Sequence, residues 1–133
     1  MKLDPYLVFK GAAEEALSHY CNALDWEHTE IKRYKESPME HDPSQANWVI
    51  HCELTYKGKI QAMVCDGPSE GSSNHIQLSL NFDSLDPMEK AFNKLSEGGK
   101  ITRPLQKEFW NATFGQLIDR FGIHWMMNYN HQS

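Results

Sequence analysis

The chain carries one order of hydrophobic patterns twice, and this repetition restricts its fold more than any single residue does. Tyr6-Leu7-Val8-Phe9, closed by Lys10-Gly11, reads as a first strand. Ala13, Ala16, Leu17, Tyr20 and Leu24 recur at spacings of three and four, which predicts an amphipathic helix with Glu14 and Glu15 at its positive end. Residues 31–36 fit a strand and the proline-bearing 37–46 a loop. From 47 to 56 the chain alternates: Trp48, Ile50, Cys52, Leu54 and Tyr56 on one face, Val49, His51, Glu53 and Thr55 on the other. Lys57-Gly58 suits a hairpin turn, and 59–65 the returning strand. The order then starts again. Ile76, Leu78, Leu80 and Phe82 alternate with Gln77, Ser79 and Asn81. Met88, Ala91, Phe92 and Leu95 make a second helical stripe, with Asp86 as the expected N-cap and Pro87 at the first helical position. Glu97-Gly98-Gly99 ends it, 100–102 opens a strand, 104–111 reads as a loop or edge segment, and 113–118 and 123–129 are two further strands.

The reading is therefore an α+β chain of two strand–helix–three-strand modules, about 1–67 and 74–130, joined by a linker near 68–73. At 133 residues it is one domain's worth of chain. A net charge of −5 with no Lys/Arg cluster argues against nucleic acid as a partner. No apolar run approaches the roughly 20 residues that span a bilayer, and Met1-Lys2-Leu3-Asp4-Pro5 lacks an apolar signal core, so neither membrane nor secretion is expected. Three cysteines without a CxxC suit free thiols in a reducing, cytoplasmic setting.

Several residues carry a resemblance. Pro5-Tyr6-Leu7-Val8-Phe9, Gly11, Glu15-Ala16 and Tyr20 resemble the opening of PhnB-like proteins. Residues 98–106, Phe109-Trp110, Phe114-Gly115 and the run from Asp119-Arg120-Phe121-Gly122 to Met126 resemble their C-terminal half. The match covers almost the whole chain and is similar to the PhnB-like branch of the vicinal-oxygen-chelate (glyoxalase/bleomycin-resistance/dioxygenase) superfamily. It implies two βαβββ modules forming a cupped mixed sheet, a cavity, and a homodimer. In metal-dependent members it also implies a divalent ion held by His, Gln or Glu.

The positions that the resemblance assigns to metal ligands are poorly equipped here. They fall near Pro5 or Tyr6, at Gln77, at Met126 and, by the internal repeat, at Ala62. Proline and alanine offer no donor, amide oxygen is weak, and thioether suits a hard cation badly. No metal and no other cofactor is expected, although a one-residue offset would bring in His75 or His124. PhnB-like sequences are also labelled ubiquinone-pathway methyltransferases, but the eight glycines here include no Gly-x-Gly for a nucleotide-type cofactor.

Other constellations have plain readings. His51 and Glu53 share a strand face as a metal or acid–base pair would, yet a solvated face is the simpler account. Cys65 beside Asp66 reads as an unreactive thiol. Asp119 reads as a carboxylate that accepts backbone N–H bonds in its turn. Among Trp110, Phe114, Phe121 and Trp125, core or interface is the default, with Trp110 the best candidate for a cavity wall. Gln77, Ser79 and Asn81 share one strand face, and His124, Met126 and Asn128 another. With Trp110 these seven residues form the candidate cavity. The expected function is metal-free binding of a small organic molecule by a homodimer. The alternatives are a divalent-metal-dependent lyase or transferase and a non-catalytic protein-association module. Whether a reaction is catalysed stays open.

Overall fold

The structure is a computed structural model that describes residues 1–71 and 74–131. Two compact units divide it, Met1–Glu70 and Gly71–Ser133. Ser72 and Ser73, in the expected linker, lie outside the described residues.

The first unit contains β1 (Tyr6–Phe9), α1 (Ala13–Leu24), the two-residue strands β2 (Glu27–His28) and β3 (Lys32–Arg33), β4 (Val49–Tyr56) and β5 (Lys59–Asp66). Its strand order is β1-β5-β4-β2, with β3 also paired to β4 and β1 parallel to β5. The second contains β6 (Leu78–Phe82), α2 (Leu85–Leu95), β7 (Lys100–Glu108), β8 (Ala112–Ile118) and β9 (His124–Asn130). Its order is β6-β9-β8-β7, with β6 parallel to β9. Each unit thus sets its first strand parallel to its last, the arrangement expected of a repeated βαβββ module.

The helix stripes form the core as their spacing predicts. Ala13, Ala16, Leu17, Tyr20 and Leu24 are buried on α1, and Met88, Ala91, Phe92 and Leu95 on α2. Lys57 (φ 50°) and Gly58 (φ 78°) both take positive φ, the turn geometry that joins β4 to β5 with matching twist. No side chain caps α1 from its own N-terminus. The buried Asp66 carboxylate at the end of β5 does so instead, its Oδ1 accepting from Gly11 N (2.8 Å) and Ala13 N (3.0 Å).

Several local expectations differ from the structure in detail. Residues 31–36 pair only at Lys32–Arg33, because Tyr34–Glu36 closes into a 3-10 turn, with Ser37 N donating to Tyr34 O. The loop at 37–46 also holds a 3-10 turn, Pro43–Gln45, capped by Asp42. Helix α2 begins at Leu85 after Ser84, which places Asp86 and Pro87 inside its first turn, where proline costs no hydrogen bond. Of the two readings of 104–111, the edge segment holds as far as Glu108: β7 runs through Pro104, which an edge strand with register shifts on both sides of Arg103 tolerates. In β4 the alternation holds from Cys52 to Thr55, but Tyr56 is exposed beyond the register shift after Leu54, and at the start Val49 is fully buried, where Asp66 Oδ2 accepts from its N–H at 3.0 Å.

Candidate functional site

Each sheet buries one face on its helix side, and the residues of interest lie on the other. In the second unit, Gly115, Leu117, Trp125 and Met127 are buried. A Cβ on Gly115 would stand 2.9 Å from Phe92 of α2, which marks this as the helix side. Alternation sends Ser79, Asn81, Phe114, Gln116, His124, Met126 and Asn128 to the opposite face. Strand register aligns Ser79, Met126 and Gln116 in one row and Asn81, Asn128 and Phe114 in the next.

The two strand rows singled out in the sequence are therefore neighbours. Gln77, just before β6, joins them: its Oε1 accepts from Gln116 Nε2 at 2.9 Å. Ser79 and Asn81 are exposed, whereas Met126 and Asn128 are half-buried, and Asn128 Nδ2 donates to Asn130 Oδ1 at 3.0 Å. An open hollow of about 460 Å³ lies at the ends of β6 and β9, lined by Asn81, Phe82, Asp83, Asn128, Tyr129 and Asn130. His124 begins β9 opposite Ile118, four residues or roughly 13 Å along the strand from Asn128. Trp110 sits beyond the opposite end, in the β7–β8 turn, with its ring 5.0 Å from Phe109 and 5.8 Å from Phe114. The seven candidates thus share one sheet surface, but Trp110 and His124 stand at its two ends. Trp110 is 43% exposed in the single chain.

Sequence reasoning does not place the residues of β7 on this surface, because the pattern reads 104–111 as a loop or edge segment with no register to its neighbour. Arg103 Nη2 donates to Glu108 Oε1 at 2.6 Å, and its guanidinium lies 5.3 Å from the Phe114 ring. Gln106 Nε2 donates to the same carboxylate oxygen at 3.3 Å. A cation already paired and stacked in this way presents a flat edge rather than a free charge. Trp125 and Asp119 belong to the framework. Asp119 is buried and accepts from Phe121 N, Ile123 N and Trp125 Nε1 at 2.8–3.0 Å, the turn role its position suggests.

In the first unit, Leu7, Phe9, Cys52, Leu54, Ala62 and Val64 are buried, and Tyr6, Val8, His51, Glu53, Met63 and Cys65 share the other face. Tyr6 Oη lies 3.0 Å from His51 Nδ1, and His51 Nε2 lies 3.7 Å from Glu53 Oε2. Burial holds the Tyr6 phenol above its ordinary value, and the neighbouring Cys65 adds to the effect. Burial likewise pushes the Cys65 thiol up, against the Tyr6 hydrogen bond; the adjacent Asp66 charge contributes less. Cys65 is a neutral thiol at neutral pH, as its sequence context suggests, with burial as the larger cause.

This face corrects one position assigned from the repeat. Ala62 is buried and paired with Leu54, so it lies on the helix side of its sheet and away from the face that carries Tyr6. The other positions aligned with metal ligands supply a phenol, an amide and a thioether, which do not fit a hard divalent ion. Among the described residues, no three His, Cys, Asp or Glu side chains gather as such a site.

Comparison with known proteins identifies the relatives. The family model described as 3-demethylubiquinone-9 3-methyltransferase matches residues 1–128. The crystal structure of PA1353 from Pseudomonas aeruginosa is similar at 34% identity and TM-score 0.87, over 99% of both chains. A putative 3-demethylubiquinone-9 3-methyltransferase, the PhnB protein from Bacillus cereus, is similar at 29% identity and TM-score 0.77, over 97% of this chain and 99% of that one. Protein YjdN of Escherichia coli is 28% identical over 140 residues, covering 96% of this chain and 95% of YjdN. At the level of fold alone, a glyoxylase/bleomycin resistance protein/dioxygenase domain from Frankia aligns at 13% identity and TM-score 0.70, over 100% of this chain and 94% of that one. With the family model spanning nearly its full length and both sheets arranged as the repeat requires, the chain belongs to the PhnB-like family described as 3-demethylubiquinone-9 3-methyltransferase and has the glyoxalase/bleomycin-resistance fold.

Proposed function

We propose that this protein binds a small organic molecule without a metal, on the β6–β9–β8 surface, and that it works as a homodimer in the cytoplasm. The observation that carries the reading is the row of amides and a hydroxyl, Gln77, Gln116, Ser79, Asn81 and Asn128, set beside the Phe114–Trp110 aromatic end of one sheet. Neutral amides orient a ligand through hydrogen bonds, and aromatic rings supply the contact area. Such a surface suits an uncharged or weakly polar molecule with a flat apolar part. Phe109, at 95% exposure beside Trp110, supports a partner copy covering this edge, because large exposed rings mark association surfaces.

Methyl transfer is not adopted from the family's description. A nucleotide-type methyl donor needs backbone that approaches it closely, and the glycines here serve other ends. Gly58 and Gly122 sit in turns between strands, Gly11 abuts Trp48, Gly99 abuts the Ile118 carbonyl, and Gly115 lies under Phe92.

The test is a thermal-shift screen with a panel of aromatic ketones, quinones and phenols on chelator-treated protein. A ligand that binds the folded state raises its melting temperature by mass action. The reading predicts hits that persist after chelation and that Asn81→Ala together with Asn128→Ala removes. Hits that require added zinc, nickel or manganese would overturn it in favour of a metal-dependent lyase or transferase. No hit at all, with dimerisation intact, would favour the protein-association module.

A further inference from the structure

The polar set on the first sheet has no part in that reading. We propose that Glu53, His51 and Tyr6 form a proton-relay site on the face of this sheet away from α1, which takes the proton of a weakly acidic hydroxyl or carbon acid carried on an apolar ring.

The arrangement rests on three strands. In the order β1-β5-β4, Tyr6 stands opposite Met63 and Met63 opposite Glu53, while His51 is two residues from Glu53 on the same face. Tyr6 Oη is 3.0 Å from His51 Nδ1, and the Glu53 carboxylate is 3.7 Å from His51 Nε2. A carboxylate beside Nε2 favours the tautomer with its hydrogen there, which leaves Nδ1 free to accept the Tyr6 hydrogen. The hydroxyl oxygen of Tyr6, which also hydrogen-bonds with Cys65, keeps a lone pair for a ligand, and the residue is 45% exposed. Val8, 38% exposed on the same strand face, and the half-buried Met63 flank it with apolar surface. That setting selects an apolar ring bearing one acidic group rather than a sugar or a phosphate.

The step balances without any further reactant. The ligand O–H or C–H bond breaks and its proton bonds to the Tyr6 oxygen, while Tyr6's own proton moves to His51 Nδ1. The electron pair stays on the ligand as a phenolate or enolate, and the imidazolium that forms is balanced by Glu53. Tyr6 is the catalytic residue; His51 and Glu53 are positioning residues that act through it. A merely solvated strand face does not require the Tyr6 hydroxyl to lie 3.0 Å from His51 Nδ1.

The probe is 4-nitrophenol, whose absorption reports its ionisation. Added to the full chain at a pH where the free probe is mostly protonated, it is expected to show a saturable rise in the phenolate band. Tyr6→Phe should lose the rise. His51→Gln, on a half-exposed position that folding tolerates, should still bind the probe by tyrosine fluorescence quenching but lose the rise. Long-range proton–nitrogen NMR should find His51 protonated on Nε2 alone in the unliganded protein, with Glu53→Gln mixing the tautomers. Absence of the rise in wild type, its survival in either variant, or an Nδ1-protonated His51 would overturn the proposal. These readouts concern β1 and β4, so they fail or succeed independently of the thermal-shift result on β6 and β9.

Discussion

Replacing Asp66 by Asn tests whether one buried carboxylate organises the first unit. Asp66 is 2% exposed. Its Oδ1 accepts from Gly11 N at 2.8 Å and Ala13 N at 3.0 Å, and its Oδ2 accepts from Val49 N at 3.0 Å. It therefore ties the end of β5 to the start of α1 and the start of β4. Asparagine keeps the volume but has one acceptor oxygen, so whichever way the amide turns, its NH₂ faces a backbone N–H. Losing one charge-assisted bond costs about 1.5–3 kcal/mol. Removing negative charge from the N-terminus of α1 adds roughly 0.3–1 kcal/mol. The expected loss is about 2–4 kcal/mol, or roughly 8–16 °C in melting temperature for a chain of this size. Urea denaturation followed by circular dichroism checks it through a lower midpoint at unchanged slope. A midpoint equivalent to less than about 0.5 kcal/mol of change, the ordinary scatter of a surface substitution, would refute the reasoning, because the carboxylate would then not be what joins the three elements.

Two further perturbations have definite signs. Gly115→Ala places a Cβ 2.8 Å from Leu105 Cδ2, 2.9 Å from Phe92 Cε2 and 3.1 Å from the Arg103 carbonyl oxygen. The backbone carbonyl cannot rotate away, so the same urea assay should show a loss of about 1–3 kcal/mol from overpacking. Arg33 donates to both Glu14 carboxylate oxygens at 2.9 and 3.1 Å. This hydrogen bonding holds the Glu14 carboxyl below its ordinary value of 4.5. A depressed folded-state pKa gives stability that is complete above pH 4.5 and is lost as pH falls through the lower folded value. The Glu14 side chain is 57% exposed, so screening limits the pair to roughly 0.2–1 kcal/mol. Arg33→Gln should reduce stability by that amount at pH 7 in low salt, with the difference from wild type shrinking in acid; a difference that persists unchanged at pH 3 would assign it to the Asn47 carbonyl that Arg33 also binds (2.8 Å).

Local pattern determined a good deal of this protein. The spacing at 13–24 and 88–95 fixes two helices, because burial of one stripe is the main force that holds a short helix. Alternation in 78–82 and 124–129 fixes which residues share a face, so Ser79, Asn81, Met126 and Asn128 were legible as two rows before any register was known. The Asp119 turn was legible too, since its partners Phe121 and Ile123 are close in sequence. Tertiary structure decided the rest, because it depends on groups far apart in the chain. Register set the two rows side by side and joined Gln77 to Gln116 across 39 residues. It brought Tyr6 onto His51, 45 residues away, and turned a pair that reads as a solvated strand face into a connected set. Edge pairing drew β7 through Pro104, and Asp66 capped a helix 53 residues before it. Hydrophobic periodicity is a property of neighbouring residues and survives in the sequence alone. Hydrogen bonds between distant strands exist only once the sheet order has been chosen.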